Sequence, residues 1–188
     1  MHIRKAALTC LILGLLFWGC APWQIVGGNY ENPSENFKTE LPNGWRKYNF
    51  AKDAVWITRD GFSLEIILIS RITIDTKLKH TEKKFTKGML PQEVAEIVIQ
   101  NFRSNPAIMN QQILENTPAS IGGYPGFNIM VSFQTKDGLI KKSAIYGFLS
   151  GGSYYELNYE APERYYFEKY FSDFESVKDS FKLLQDNV

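Results

Sequence analysis

The chain is predicted to be an α/β protein of the α+β type, with a central, mainly antiparallel β-sheet flanked by helices. Short runs of period-two alternation recur between turns made of Gly, Asn and Asp. Two longer runs, 91–104 and 162–184, place apolar residues at spacings of three and four. No linker interrupts the chain after residue 36. The first pattern is that of strands joined by hairpins, the second that of amphipathic helices, and the third leaves one domain. With 188 residues, 44% hydrophobic and 22% charged, the composition suits one globular core that needs no disulfide or structural metal.

The N-terminal segment is ordered like an export signal. Residues 1–5 carry Arg4 and Lys5, 6–18 are apolar, and Gly19 precedes Cys20. Thirteen apolar residues fall short of the roughly twenty that a helix needs to cross hydrocarbon. Residues 1–19 are therefore expected to be a cleaved signal peptide. Leu16-Phe17-Trp18-Gly19-Cys20 resembles the lipobox of bacterial lipoproteins: Gly19 and Cys20 fit, whereas Phe17 stands where Leu is usual and Trp18 where a small residue is. The resemblance implies lipidation at Cys20, and Ala21 after it implies transfer to an outer membrane where the cell has one. Cys10 lies in the signal, so the mature chain keeps one Cys, which cannot form an internal disulfide and which a thioether lipid would cap. The other reading is a plain secretory signal with an incidental Cys. Residues 20–36, rich in Gly, Asn and Pro without a sustained period, read as a tether to a domain spanning 37–188.

Strands open the domain. Runs 45–50 and 54–58 are β-prone, and Asp60-Gly61 turns into a long strand, 62–73. In it Phe62, Leu64, Ile66 and Leu68 share one face and Ile67 and Ile69 the other, which predicts an inner position in the sheet. Pro91 starts a helix with Val94, Ile97, Val98 and Phe102 along one stripe, ended by Asn105-Pro106. A short strand at 113–119 follows, and Gly122-Gly123 leads into the alternating Phe127, Ile129, Val131 and Phe133. Lys136-Asp137-Gly138 and Ser150-Gly151-Gly152 are hairpin signals leading to strands 139–149 and 154–161. The last helix, 162–184, carries Phe167, Tyr170, Phe171, Phe174, Val177 and Phe181 toward the sheet.

With its elements in this order, the chain resembles the PsbP-like fold. The likeness is carried by Leu41-Pro42-Asn43-Gly44-Trp45, by Ile121 to Phe127, by Tyr154 to Pro162 and by Ser176 to Phe181. It implies an antiparallel sheet flanked by helices, without a shared catalytic centre, used in binding or assembly.

The residues support that expectation by elimination. Without the signal, nineteen basic residues face twenty acidic ones, a net charge of −1, which gives no basic face for nucleic acid. His80 is the one histidine left, in a lysine-rich polar stretch, 75–87, so a His-based triad or multi-histidine metal site has too few ligands. Lys77, Lys79, Lys83, Lys84 and Lys87 offer an anion-binding loop or simply a solvated one. No phosphate-binding glycine loop occurs, and no cofactor is implied. Glu156 and Glu160 share one strand face and form the only candidate carboxylate pair; alternation otherwise sets Tyr155, Leu157, Tyr159 and Ala161 in the core with Glu156, Asn158 and Glu160 toward water. Nine aromatic residues between Tyr154 and Phe174 exceed what one helix face buries, leaving Tyr154 and one of Tyr165 or Tyr166 for exposure and contact with a protein or glycan. The expected function is that of a lipid-anchored, non-enzymatic binding or assembly protein of the cell envelope, facing the periplasm, with an envelope protein as partner. The alternative is a small periplasmic hydrolase or ligand-binding protein that works through Glu156 and Glu160.

Overall fold

The computed structural model describes residues 21–185. In chain order the elements are β1 (Trp23–Asn32), a 3-10 turn (Pro33–Glu35), β2 (Phe37–Tyr48), β3 (Ala54–Thr58), β4 (Ile66–Thr73), α1 (Pro91–Arg103), β5 (Ile108–Ile121), β6 (Tyr124–Thr135), β7 (Ile140–Ser150), β8 (Ser153–Pro162), α2 (Tyr166–Ser180) and β9 (Lys182–Leu183). The strands form one antiparallel sheet in the order β1-β2-β3-β4-β8-β7-β6-β5, with β9 paired to β2. The expected class and the inner position of β4 both hold.

One expectation is corrected outright. Residues 23–32, read as part of a tether, form β1 and pair with β2 from Trp23↔Tyr48 to Asn32↔Phe37. The glycines that suggested a linker serve a bulge: the register shifts between Val26 and Gly28, and Gly28 sits at φ +75°. A side chain at Gly27 would collide with the Asn43 side chain. Pro42-Asn43-Gly44, read as a turn at the start of the domain, instead lies within β2 as the bulge itself, three residues facing Gly27 alone.

Other boundaries move for local reasons. Residues 62–65 are not strand, because Glu65 folds its carboxylate back onto the turn before it. The short strand expected at 113–119 is a fourteen-residue edge strand with two irregularities in its pairing to β6. Its hairpin closes through Gly122 and Gly123, both at positive φ, as a two-residue turn between twisted strands requires. The last helix stops at Ser180, and Phe181 extends the chain so that β9 can pair with β2.

The sheet buries both faces. Phe174 of α2 packs with Phe37, Trp45, Ile57, Ile67 and Tyr159 of the sheet; Val94 and Val98 of α1 pack with Phe127, Ile129, Val131 and Tyr154. Each such side chain removed from water contributes about 1.5–3 kcal/mol. Phe85, fully buried and 4.4 Å from Tyr154 ring to ring, pins the lysine-rich loop beneath α1. No helix among the described residues is long and apolar enough to cross a membrane.

Candidate functional site

The site is built where β8 passes into α2. Arg164 and Tyr166 are bridged by a hydrogen bond from the Tyr166 N–H to the Arg164 carbonyl at 3.2 Å, which leaves Tyr165 at φ +82°, ψ −59°. This is a γ-turn of the hand that is rare and strained, and a bulky residue there costs about 1–3 kcal/mol. Tyr165 is 65% exposed, so its ring does not offset that cost by burial. Its carbonyl accepts from the Lys169 N–H at 3.1 Å and starts the helix.

Lys169, one turn on, is the hub. Its Nζ lies 3.0 Å from Asp60 Oδ2 and sits 5.4, 5.3 and 4.5 Å from the ring centres of Tyr165, Tyr166 and Tyr170. The Tyr170 hydroxyl donates to the same Asp60 oxygen at 2.7 Å, and the Arg59 guanidinium stands 5.4 Å from the Tyr170 ring. The hydrogen bond from Tyr170, and then that from Lys169, hold the Asp60 carboxyl below its ordinary range. Tyr170 and then Asp60 hold the Lys169 ammonium above its own range, and burial pushes the Tyr170 phenol up.

Asp60 is placed by Glu65. The Glu65 Oε1 accepts from Thr58 Oγ1 at 3.0 Å and from the N–H groups of Arg59 and Asp60 at 2.8 and 2.6 Å, while the Gly61 N–H donates to Thr58 Oγ1 at 2.9 Å. Glu65 is fully buried, and its Oε2 has no protein partner. A carboxylate that collects the N–H groups of a turn fixes the side chains the turn carries. Nothing in the alternation of 62–73 marked Glu65; the signal available was a lone acid between apolar neighbours two residues apart.

The other candidates lie elsewhere. Glu156 and Glu160 do share a face, but each is tied separately. The Tyr154 hydroxyl donates to Glu156 Oε2 at 2.8 Å, and Lys141 Nζ reaches Glu160 Oε1 at 2.9 Å. Glu156 does not simply face water: it lies beside fully buried Tyr154 on the α1 side, and burial pushes its carboxyl up. Tyr154, expected as an exposed ring, is packed there because a side chain at Gly147 would occupy the place of its hydroxyl. Asn158 accepts from Ser143 Oγ at 2.6 Å. His80 is half-buried in its loop, and its backbone N–H donates to Asn101 Oδ1 at 2.8 Å; nearby, Lys77 pairs with Glu82. No group of three or more potential metal ligands occurs among the described residues. Cys20 lies outside them.

What the assembled site offers is a rigid, exposed tyrosine edge with a cation and an anion fixed beside it. It can bind a surface through ring stacking and hydrogen bonds. Its Asp60 and Lys169 are already paired with each other.

No curated protein matches the sequence. Among solved structures the fold is shared with the cyanobacterial PsbP, CyanoP, from Synechocystis sp. PCC 6803, at 15% identity over 89% of this chain and 95% of that one, with a TM-score of 0.54. The Ran-binding protein Mog1p from Saccharomyces cerevisiae matches at 10% identity over 86% of this chain and 97% of its own, with a TM-score of 0.55. A protein from Bacteroides thetaiotaomicron VPI-5482 matches at 14% identity and a TM-score of 0.55 over 86% of this chain, which spans 50% of that protein's length. At these identities the likeness is one of fold. The PsbP family model matches residues 28–183, from within β1 to β9, and the chain belongs to the PsbP family.

Proposed function

We propose that this protein is a lipid-anchored, non-enzymatic binding or assembly protein of the cell envelope, held by an acyl group on Cys20 and presenting the Tyr165 edge to a protein partner. The observation that carries the binding role is the strained, exposed Tyr165. Strain of this kind persists where the surrounding structure holds it in place, and here Lys169 and Asp60 do so while its ring stays in water. Tyrosine joins apolar area to a hydrogen-bonding tip at low entropic cost, which suits a contact surface. The separate ties on Glu156 and Glu160 favour this reading over a hydrolase that needs two free, convergent carboxylates. The anchor rests on the sequence around Cys20, and the fold shared with Ran-binding Mog1p is in keeping with a protein partner.

A photoreactive phenylalanine at position 165 in the full chain, expressed in bacterial cells, should give one discrete protein adduct, and the same residue at exposed Leu114 on the edge strand should not. Adducts absent at 165, or equal at both positions, would overturn the binding surface. Mass measurement of the N-terminal peptide should show a diacylglycerol thioether on Cys20; a free thiol there would overturn the anchor.

A further inference from the structure

The two faces of the sheet are not covered alike. On the α1 side the helix packs on β5, β6 and β7, and no helix packs there on β1, β2 or β3 among the described residues. Five rings converge on that bare half: Trp23 lies 4.8 Å from Phe62 and 5.2 Å from Tyr48, Phe50 lies 5.7 Å from Tyr48, and Trp56 lies 5.8 Å from Phe62. Trp23, Phe50 and Trp56 are 36%, 53% and 38% exposed. Between them runs a groove of about 450 Å³ lined by Tyr48, Lys52, Trp56, Phe62 and Leu68. Isolated exposed rings are ordinary, but a contiguous cluster marks a contact.

The chain itself indicates which contact. The Asn49 N–H donates to the Pro22 carbonyl at 3.0 Å, and Asn49 Nδ2 donates to the Ala21 carbonyl at 3.1 Å. Ala21 is thereby tied to the β2–β3 turn next to Phe50. Cys20 is the residue that precedes Ala21 in the chain. A lipid on Cys20 would enter the bilayer at the edge of the ring cluster.

We infer that the bare half-face rests in the interfacial layer of the membrane that holds the lipid, and that its occupant is phospholipid, at headgroup and upper acyl-chain depth. Trp and Tyr rings favour that depth, where the ring is in apolar surroundings and the N–H or O–H is wet. At the rim Lys52, exposed beside Asp53, can reach a lipid phosphate. The Tyr165 edge belongs to the opposite side of the sheet, with α2, and faces away from the lipid. This inference rests on the Cys20 anchor proposed above.

The test uses the full chain, processed by the cell and reconstituted into phosphatidylcholine–phosphatidylglycerol vesicles whose acyl chains are brominated near the headgroup. Tryptophan emission of the unaltered protein should be quenched relative to unbrominated vesicles. The pair Trp23→Phe and Trp56→Phe should reduce the quenched fraction severalfold, while Trp45→Phe, which removes a buried emitter on the opposite face, should not reduce it. The N-terminal peptide mass, taken on the same sample, reports the anchor independently. Acylated, vesicle-bound protein that is not quenched would overturn the orientation and leave the anchor standing. In that case protection of Trp23 and Trp56 from aqueous iodide would assign the face to protein, a second copy included. An unacylated Cys20 would remove the anchor, and with it the present inference, whatever the quenching.

Discussion

Tyr165 and Phe50 are both exposed aromatic residues, yet their surroundings differ. Tyr165 is held against its backbone preference with the Tyr166 ring edge-on at 5.2 Å and the Lys169 ammonium over its face, itself paired with Asp60. Phe50 sits in a turn without positive-φ strain, and its ring meets the Tyr48 ring edge to face at 5.7 Å. An exposed ring fixed by charge and strain can present one defined shape to one partner. An exposed ring in a soft apolar cluster can meet a surface that has no fixed shape. The same residue class thus serves two kinds of contact, and the immediate polar groups decide which.

The largest break in that comparison should come from Glu65→Ala. Losing three hydrogen bonds to a buried carboxylate should cost about 3 kcal/mol in urea unfolding and loosen the turn that carries Asp60, while the Trp23–Phe62 cluster keeps its spectrum. Glu65→Gln, which keeps an acceptor oxygen, should cost clearly less; equal losses would mean that the hydrogen bonds are not what matters. Tyr165→Gly should stabilise the chain by about 1 kcal/mol, since relief of strain outweighs the extra freedom of the unfolded glycine. Tyr165→Ala, which keeps the positive φ, should bring no gain. Phe50→Ser should cost only about 0.5 kcal/mol in thermal unfolding, as expected where a ring is largely in water.

The smallest effect is in pH, and it separates two carboxyls by sign. Asp60 is held below its ordinary 3.8, chiefly by Tyr170 and then Lys169, so its contribution is present above that value and fades as pH falls through the lowered one. Glu156 is pushed above its ordinary 4.5 by burial, so its contribution is present below that value and fades as pH rises through the raised one. Asp60→Asn should flatten the acid limb of a urea-midpoint profile and Glu156→Gln the limb above it. The Phe50 ring signals should follow neither.

Much of the fold was legible because alternation and turn chemistry are local. The hairpins at Gly122-Gly123 and Gly151-Gly152, the inner position of β4 and the stripe of α2 all follow from residues close in sequence. β1 was not legible, because Gly27 answers to Asn43 and to the bulge that Pro42-Asn43-Gly44 makes in β2, a long-range fit that composition cannot distinguish from a linker. The exposure of one tyrosine near 165 was expected from the surplus of rings, but its strain was not, since helical spacing gives no sign of a γ-turn. Glu65 was hidden inside a run that alternates as a strand should. The five-ring cluster leaves no local pattern, because its members come from β1, β2, β3 and two loops.

The two hydrogen bonds from Asn49 would also set how far the protein could travel from the lipid proposed on Cys20. Sixteen flexible residues, as 21–36 read by composition, would let the domain roam about 20 Å from the attached lipid. With Ala21 and Pro22 docked, the slack is a single residue, and an acylated domain has almost no search radius. It would move with its lipid in two dimensions, and a partner would have to come within arm's length of the same leaflet.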